Sequence, residues 1–416
     1  MWFKINNNRG ICKVSIEPGD NWNAEIIKSH PLDLTIFNEK KVIIEGKGPM
    51  WMYSHIAIAA VRGGAIEIKV SQPHLSEPIL VYPLVSTNLS TNLSQHQWLE
   101  HRIDESGGSV VTFLSKAGER FPHDVILSLE DLAECWDDSL LTLTGQGANW
   151  MYTAVASLAA KKNQRIIAYF APMLDDCIVL TPDSRESVFI TPSPSLIPHD
   201  KERGIIIGVL GDPNSGKSSF SYLLTDGLKQ LQLRFAWRHD CDHAAPTTNW
   251  YLEMIVQGQH QNAKDLRNSQ KREWTPEAEK KLALELKNCA RSLRWTVADF
   301  PGGKHNKDSV QRIPKGRERL IEAADHFIIL VRSDSPDAEK AWHDELAVHG
   351  LSERILCIVS STAPLDPLSV SMVSDSAVLR AAVTGLDRNN MTSENIQQSL
   401  PQWAELARTI VSRISQ

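Results

Sequence analysis

The sequence predicts an α/β protein: two small tandem α+β domains, then a larger domain built on a mainly parallel sheet. Three observations carry this. The signature Gly-x-Gly-x-x-Trp-Met-Tyr occupies residues 46–53 and recurs at residues 145–152, 99 positions later with no gap. A fixed offset of that kind marks a duplicated structural unit. A proline- and serine-rich stretch, Thr191-Pro-Ser-Pro-Ser-Leu-Ile-Pro198, then breaks the pattern as a linker does. Beyond it, β-rich segments alternate with amphipathic helical ones, the rhythm of a parallel sheet covered on both faces. The expected boundaries are 1–98 and 99–185 for the two copies, 186–203 for the linker and 204–416 for the last domain.

Each copy runs in the same order. Residues 11–16 and 110–115 alternate enough to be strands, and residues 42–44 and 141–143 are strands that feed into the glycines. Residues 56–61 and 155–160 read as short helices of small residues, followed by β-rich segments at 65–70 and 165–170. The third domain offers strands at 204–210, 234–237, 295–299, 326–331 and 355–360.

The chain has 416 residues and a formal net charge of −6, with a pI near 6.2. That balance excludes a general basic coat for duplex DNA. No apolar run approaches a membrane span, so no membrane partner is expected. The six cysteines, Cys12, Cys135, Cys177, Cys241, Cys289 and Cys357, stand singly with no Cys-x-x-Cys. They read as reduced thiols of a cytoplasmic protein.

The clearest chemical motif is Gly211-Asp-Pro-Asn214-Ser215-Gly216-Lys217-Ser218, a complete G-x-x-x-x-G-K-[ST]. The apolar run 205–210 precedes it, and a helical pattern with Phe220, Leu223, Leu224 and Leu228 on one face follows. In that context the backbone N–H groups, those of Ser215 and Ser219 included, cradle phosphate oxygens. Lys217 reaches the β- and γ-phosphates, and Ser218 ligates magnesium. The strand ending at Asp299 adds a second magnesium partner, with Gly302 or Gly303 placed to turn an N–H toward a γ-phosphate. Asp240 and Asp242 follow a strand and are candidate bases toward a hydroxyl or water, or solvated loop carboxylates. The basic stretch 304–319 reads as a solvated helix face, with a phosphate-sensing or trans-acting arginine as the sharper alternative. No Asn-Lys-x-Asp follows the strand at 355–360, so ATP is the expected nucleotide.

In the repeats, the paired glycines Gly46/Gly48 and Gly145/Gly147 permit a tight turn and close backbone approach to a ligand. Trp51, Tyr53 and Trp150 are either stacking platforms or core aromatics. His55, after Ser54, reads as a candidate general acid/base or metal ligand, or as a structural histidine, and the second copy, with Thr153-Ala154, lacks it.

Gly-x-x-Pro-x-Trp-x-Tyr-Ser-His followed by a strand and an Asp-Pro-Arg-type turn resembles the small CRISPR-associated ring nucleases, type III accessory proteins that cleave cyclic tetra-adenylate. The resemblance covers residues 1–185 in two copies. The linker and the Gly-Lys-Ser domain resemble the AAA-type partner fused to some members, with Cys241-Asp242 and Asp299-Phe-Pro-Gly302-Gly303-Lys304 similar to its loops. Tyr53-Ser54-His55 matches the family element intact. The Asp-Pro-Arg turn falls on Gln72-Pro73-His74, and in the second copy on Ala171-Pro172-Met173. The resemblance implies manganese at the nuclease site, although Gln72 stands where a carboxylate belongs.

On this reading two chains clamp a cyclic tetra- or hexa-adenylate as a homo-oligomer. Glycines and helix N-termini hold its phosphates, and a ribose 2′-hydroxyl attacks the linkage. His55 and His74 would serve as acid and base, with Ser54 or Gln72 as donors. Two other readings stand beside it. One is a cyclic-oligoadenylate receptor with an ATPase output and no cleavage. The other is a P-loop small-molecule kinase with an unrelated N-terminal module.

Overall fold

In a computed structural model of the chain, the described residues are 2–17, 30–72, 75–83, 98–103, 109–114, 140–145, 147–162, 166–171, 176–180, 188–190, 203–231, 236–306, 309–335, 337–362, 365–375 and 378–415. The chain is mixed α/β and divides into two compact units. One comprises residues 1–115, 119–171 and 175–197, and the other is chiefly 198–416. The division falls inside the expected linker.

The first unit holds two sheets. Strands β1 (Phe3–Asn8), β2 (Ile11–Ile16), β3 (Lys41–Gly46), β4 (Glu67–Val70) and β5 (Ile79–Tyr82) lie in sequence order. The inner pairs β2–β3 and β3–β4 are parallel and the outer pairs antiparallel. Strands β6 (Leu99–Ile103), β7 (Ser109–Phe113), β8 (Leu140–Gly145), β9 (Ile166–Ala171) and β10 (Asp176–Leu180) repeat that order and those directions, and β11 (Val188–Ile190) extends the edge. Helix α1 (Met50–Arg62) joins β3 to β4, and helix α2 (Asn149–Lys161) joins β8 to β9.

Both helices begin earlier than their small-residue runs suggest. Pro49, with its φ preset at −65°, precedes α1, and Ala148 at −75° precedes α2. The Trp-Met-Tyr of each signature therefore lies in the first helical turn instead of in a loop. Residues 51–60 and 150–160 are buried throughout, as befits helices apolar on every side. The two helices pack on each other, and α2 also packs on β4 and β5. The two stretches expected as separate domains consequently share one hydrophobic core.

The second unit is built on a seven-stranded sheet ordered β13-β14-β12-β17-β18-β20-β19. Its strands are β12 (Ile205–Gly211), β13 (Ala236–Asp240), β14 (Trp295–Asp299), β17 (His326–Arg332), β18 (Ile355–Thr362), β19 (Ser369–Asp375) and β20 (Leu379–Thr384). Every neighbouring pair is parallel except β19–β20. Helices α3 (Lys217–Gln230), α4 (Asn249–Val256), α5 (His260–Gln270) and α9 (Ser393–Ile414) contribute Phe220, Leu252, Ala263 and Trp403 to one core. Helices α6 (Pro276–Ser292), α7 (Glu318–Glu322) and α8 (Asp337–Val348) contribute Leu286, Leu320 and Trp342 to another.

The basic stretch 304–319 departs from expectation. It forms a hairpin of β15 (Lys304–Asn306) and β16 (Ser309–Gln311), with helix only from Glu318 onward. Gly303 and Gly316 take left-handed φ values of 82° and 86°, and with Pro314 they leave no uninterrupted helical run. Among the described residues, no helix is long and apolar enough to cross a membrane.

Candidate functional site

Strand β12 ends in a loop whose backbone only small or turn-forming residues adopt. Gly211, Asn214 and Gly216 have φ of 149°, 63° and 93°. A Cβ on Gly211 would lie 2.6 Å from the Leu330 carbonyl oxygen. Lys217 opens α3 and curls back over the loop, its Nζ donating to the carbonyls of Gly211 (2.9 Å) and Asp212 (3.1 Å). Burial pushes this ammonium below its ordinary pKa, while Asp299, Asp242 and Asp212 push it back up. Ser215 and Ser219 are buried, and the Ser215 hydroxyl has no hydrogen-bond partner among the described residues.

Asp299 ends β14, directly beside β12, where it pairs in register with Val209 on one side and Asp240 of β13 on the other. Two carboxylates thus stand together at the C-terminal ends of parallel strands, the usual ligand edge of such a sheet. Arg238 pairs with Asp299. Its Nη2 donates to Asp299 Oδ2 at 2.5 Å, its Nε to Ser221 Oγ at 2.7 Å, and its Nη1 to the Thr247 carbonyl at 2.8 Å. Both members of the Arg238–Asp299 pair are almost wholly buried.

Thr247 Oγ1 lies 2.9 Å from Ser218 Oγ and 3.1 Å from Asp299 Oδ2. Thr247 thus links Ser218 of the loop's helix to Asp299 of the neighbouring strand. Asp240 braces the following turn by accepting from the N–H groups of Thr247 (2.7 Å) and Asp242 (3.2 Å). Burial lifts its carboxyl to about 6, with Arg238 opposing that shift and Asp299 adding to it.

Gly302 sits against the loop, where a Cβ would lie 2.8 Å from Pro213 N and 3.0 Å from Lys217 Nζ. The hairpin that follows grips the loop from outside. Arg312 donates from Nε and Nη2 to the two carboxylate oxygens of Asp212, each at 2.9 Å, and Trp342 Nε1 donates to the same group at 2.9 Å. Arg238, Thr247 and Trp342 escaped sequence reading because nothing in their local spacing ties them to a loop tens of residues away, whereas Arg312 belongs to the basic stretch in which a phosphate-sensing arginine is the sharper alternative.

The repeat signatures are fixed by packing. Gly46 and Gly145 have φ of 110° and 97°, and a Cβ on either would lie 2.2 Å from the carbonyl oxygen of Ile16 or Phe113. The Tyr53 hydroxyl donates to the Gly46 carbonyl at 2.7 Å, and Tyr152 makes the same bond to Gly145 at 2.9 Å. A Cβ on Gly48 or Gly147 would press into the Ile16 or Phe113 side chain. Trp51 and Trp150 are buried in the shared core. Glycines, tryptophans and tyrosines of the signature form a folding lock.

The candidate catalytic group of the first copy lies inside this core. His55 is 3 % exposed, neither ring nitrogen has a hydrogen-bond partner among the described residues, and burial lowers its pKa to about 4. The Ser54 hydroxyl donates to the Met50 carbonyl at 3.2 Å. Gln72 is buried, its Nε2 without a hydrogen-bond partner among the described residues, and His74 lies outside the described residues. Pro73, Pro172 and Met173 do so as well. Among the described residues, no group of three or more His, Cys, Asp or Glu side chains gathers to hold a metal ion. No family model matches this chain, and no curated protein matches it.

Proposed function

We propose that the second unit is a P-loop domain that binds magnesium ATP, and that the first is a duplicated ring-nuclease-like unit that recognises cyclic oligoadenylate in type III antiviral defence. One observation carries the nucleotide reading. A left-handed glycine loop, a lysine folded over it, and an aspartate linked through Thr247 to the first serine of the next helix meet at one sheet edge. Phosphates bind such an edge through backbone N–H groups and the helix N-terminus. Ser218 would hold magnesium directly. Asp299 would hold it through water, because Arg238 already occupies its Oδ2. When bound, the ion neutralises charge on the phosphate oxygens.

The direct pairing of β12 with β14 favours a kinase- or GTPase-type sheet over the AAA-type expectation, in which another strand stands between those two. ATP hydrolysis fits this site, and so does transfer to a hydroxyl acceptor.

For the first unit, the resemblance points to ring cleavage through His55, Ser54, Gln72 and His74. The burial of His55 and the engaged Ser54 hydroxyl favour the receptor reading, in which the ring is bound intact. Manganese does not fit the donors here. Ser54, His55, Gln72 and His74 offer no carboxylate.

Two measurements test the proposal. Fluorescent ATP should bind the full-length chain, and Lys217→Ala should abolish binding. Thin-layer analysis of labelled cyclic tetra- and hexa-adenylate, with and without ATP, separates the rest. Recovery of bound but intact ligand supports the receptor reading. Cleavage that His55→Ala removes restores the nuclease, and absence of any binding overturns both.

A further inference from the structure

Two arginines of the second unit converge on one buried ring without a counter-ion. Tyr251, in the first turn of α4, is 4 % exposed. The Arg267 guanidinium, carried by α5, lies over that ring 5.9 Å from its centre, and the Arg388 guanidinium, from the turn after β20, lies over it at 5.1 Å. Each contact is favourable alone, because an aromatic face attracts a cation. Together they crowd two like charges onto one half-buried spot, where repulsion is poorly screened.

Among the described residues, neither guanidinium meets a carboxylate. Arg267 makes one long hydrogen bond, from Nη2 to the Ala245 carbonyl at 3.4 Å, and its Nε is buried with no partner. The Arg388 side chain and the Tyr251 hydroxyl bond to none of the described residues. The acids closest in sequence are engaged elsewhere. Asp265 Oδ1 accepts from Gln261 Nε2, and Asp387 Oδ1 accepts from the Asn389 N–H. Leaving buried donors unpaired costs free energy, so the spot calls for an oxyanion. Two planar guanidinium forks suit phosphate oxygens, and two positive charges balance a phosphate monoester near neutral pH.

Contacts set this cluster beside the glycine loop but apart from it. Leu386, two residues before Arg388, packs so closely on Gly216 that a Cβ there would lie 2.7 Å from its Cδ1. On the other side, Thr248 Oγ1 accepts from the Tyr251 N–H at 3.3 Å, and the preceding Thr247 bonds to Ser218. We propose that Arg267, Arg388 and the Tyr251 hydroxyl form a second oxyanion site of this unit, which takes the phosphate group of a ligand other than the one on the glycine loop. The site needs no nucleotide on that loop, so it stands or falls apart from the nucleotide reading.

The test uses the full-length chain carrying Lys217→Ala, which silences the loop. Inorganic phosphate and ribose 5-phosphate are titrated into it by calorimetry at low salt, where charges are least screened. Each should bind at one site. Arg388→Gln and Arg267→Gln should each weaken binding by about tenfold or more, the loss expected for one charge-assisted hydrogen bond. Arg388→Lys keeps the charge without the fork and should restore only part of the affinity. Circular dichroism reports whether each variant folds. Tyr251→Phe keeps the packed ring and serves if an arginine change does not fold; it should weaken binding by a smaller factor. Tighter binding of ribose 5-phosphate supports the site with a phosphate monoester as its ligand, and equal binding supports it with free phosphate. Absence of phosphate binding in the Lys217→Ala chain overturns the proposal, as does unchanged affinity in both glutamine variants.

Discussion

At the scale of single residues, the two copies of the signature show how a motif that looks like a ligand site can be a lock. Gly46 takes a left-handed φ and lies so close to β2 that a methyl group would meet the Ile16 carbonyl at 2.2 Å. Gly46→Ala is expected to destabilise the first unit by at least about 1–3 kcal/mol, and Gly145→Ala by a similar amount, read as lost protection in hydrogen exchange across residues 41–62 or 140–161. His55 makes a different prediction. Its folded pKa is about 4 against an ordinary 6.5. Between those values the unfolded chain binds the proton and the folded chain does not. Stability is therefore full above pH 6.5 and falls as pH drops, by about 2 kcal/mol at pH 5. His55→Leu removes a buried, unpartnered ring and should abolish this part of the pH dependence. Hydrogen exchange of the α1 peptide at pH 7.5 and 5 checks it, and an unchanged pH slope in the leucine variant would show that His55 is not its source.

Elements bring residues together that no local pattern links. Just after the hairpin β15–β16, Arg312 reaches the glycine loop at Asp212; the two are mostly buried in their pair and a hundred positions apart. Arg312→Ala and Asp212→Asn should each weaken ATP binding, and the double variant should be less impaired than the sum of the two. A coupling of about 0.5–3 kcal/mol is the expected size for residues in one network; additive losses would show that the pair does not act as a unit. This element also marks the limit of sequence reading. The strand–loop–helix around Lys217 was legible because strand, glycines and amphipathic helix are contiguous, and β14 was legible to the residue. The hairpin was not, since its many cations suggested a solvated helix while Gly303, Pro314 and Gly316 decided the backbone. The start of α1 was hidden by the glycines before it, and the burial of His55 was hidden because α1 packs on α2, a hundred residues further along, in a shared core.

At the scale of the whole molecule, the chain is two compact units with separate cores, and the expected ligands divide between them. A ligand that binds only the folded state stabilises the unit it binds, by about 2.7 kcal/mol at a hundredfold excess over its Kd. Scanning calorimetry of the full-length chain should show two transitions. Magnesium ATP should raise only the one belonging to residues 198–416, and Lys217→Ala should remove that shift while leaving both transitions in place. Cyclic tetra- or hexa-adenylate should raise the other. Loss of folding through Gly46→Ala assigns the transitions independently of any ligand, because that glycine belongs to the first core alone. A shift of both transitions by ATP would mean that the units unfold as one. If cyclic oligoadenylate moves neither transition while ATP moves its own, the cyclic-oligoadenylate reading of the first unit falls and the nucleotide reading of the second stands.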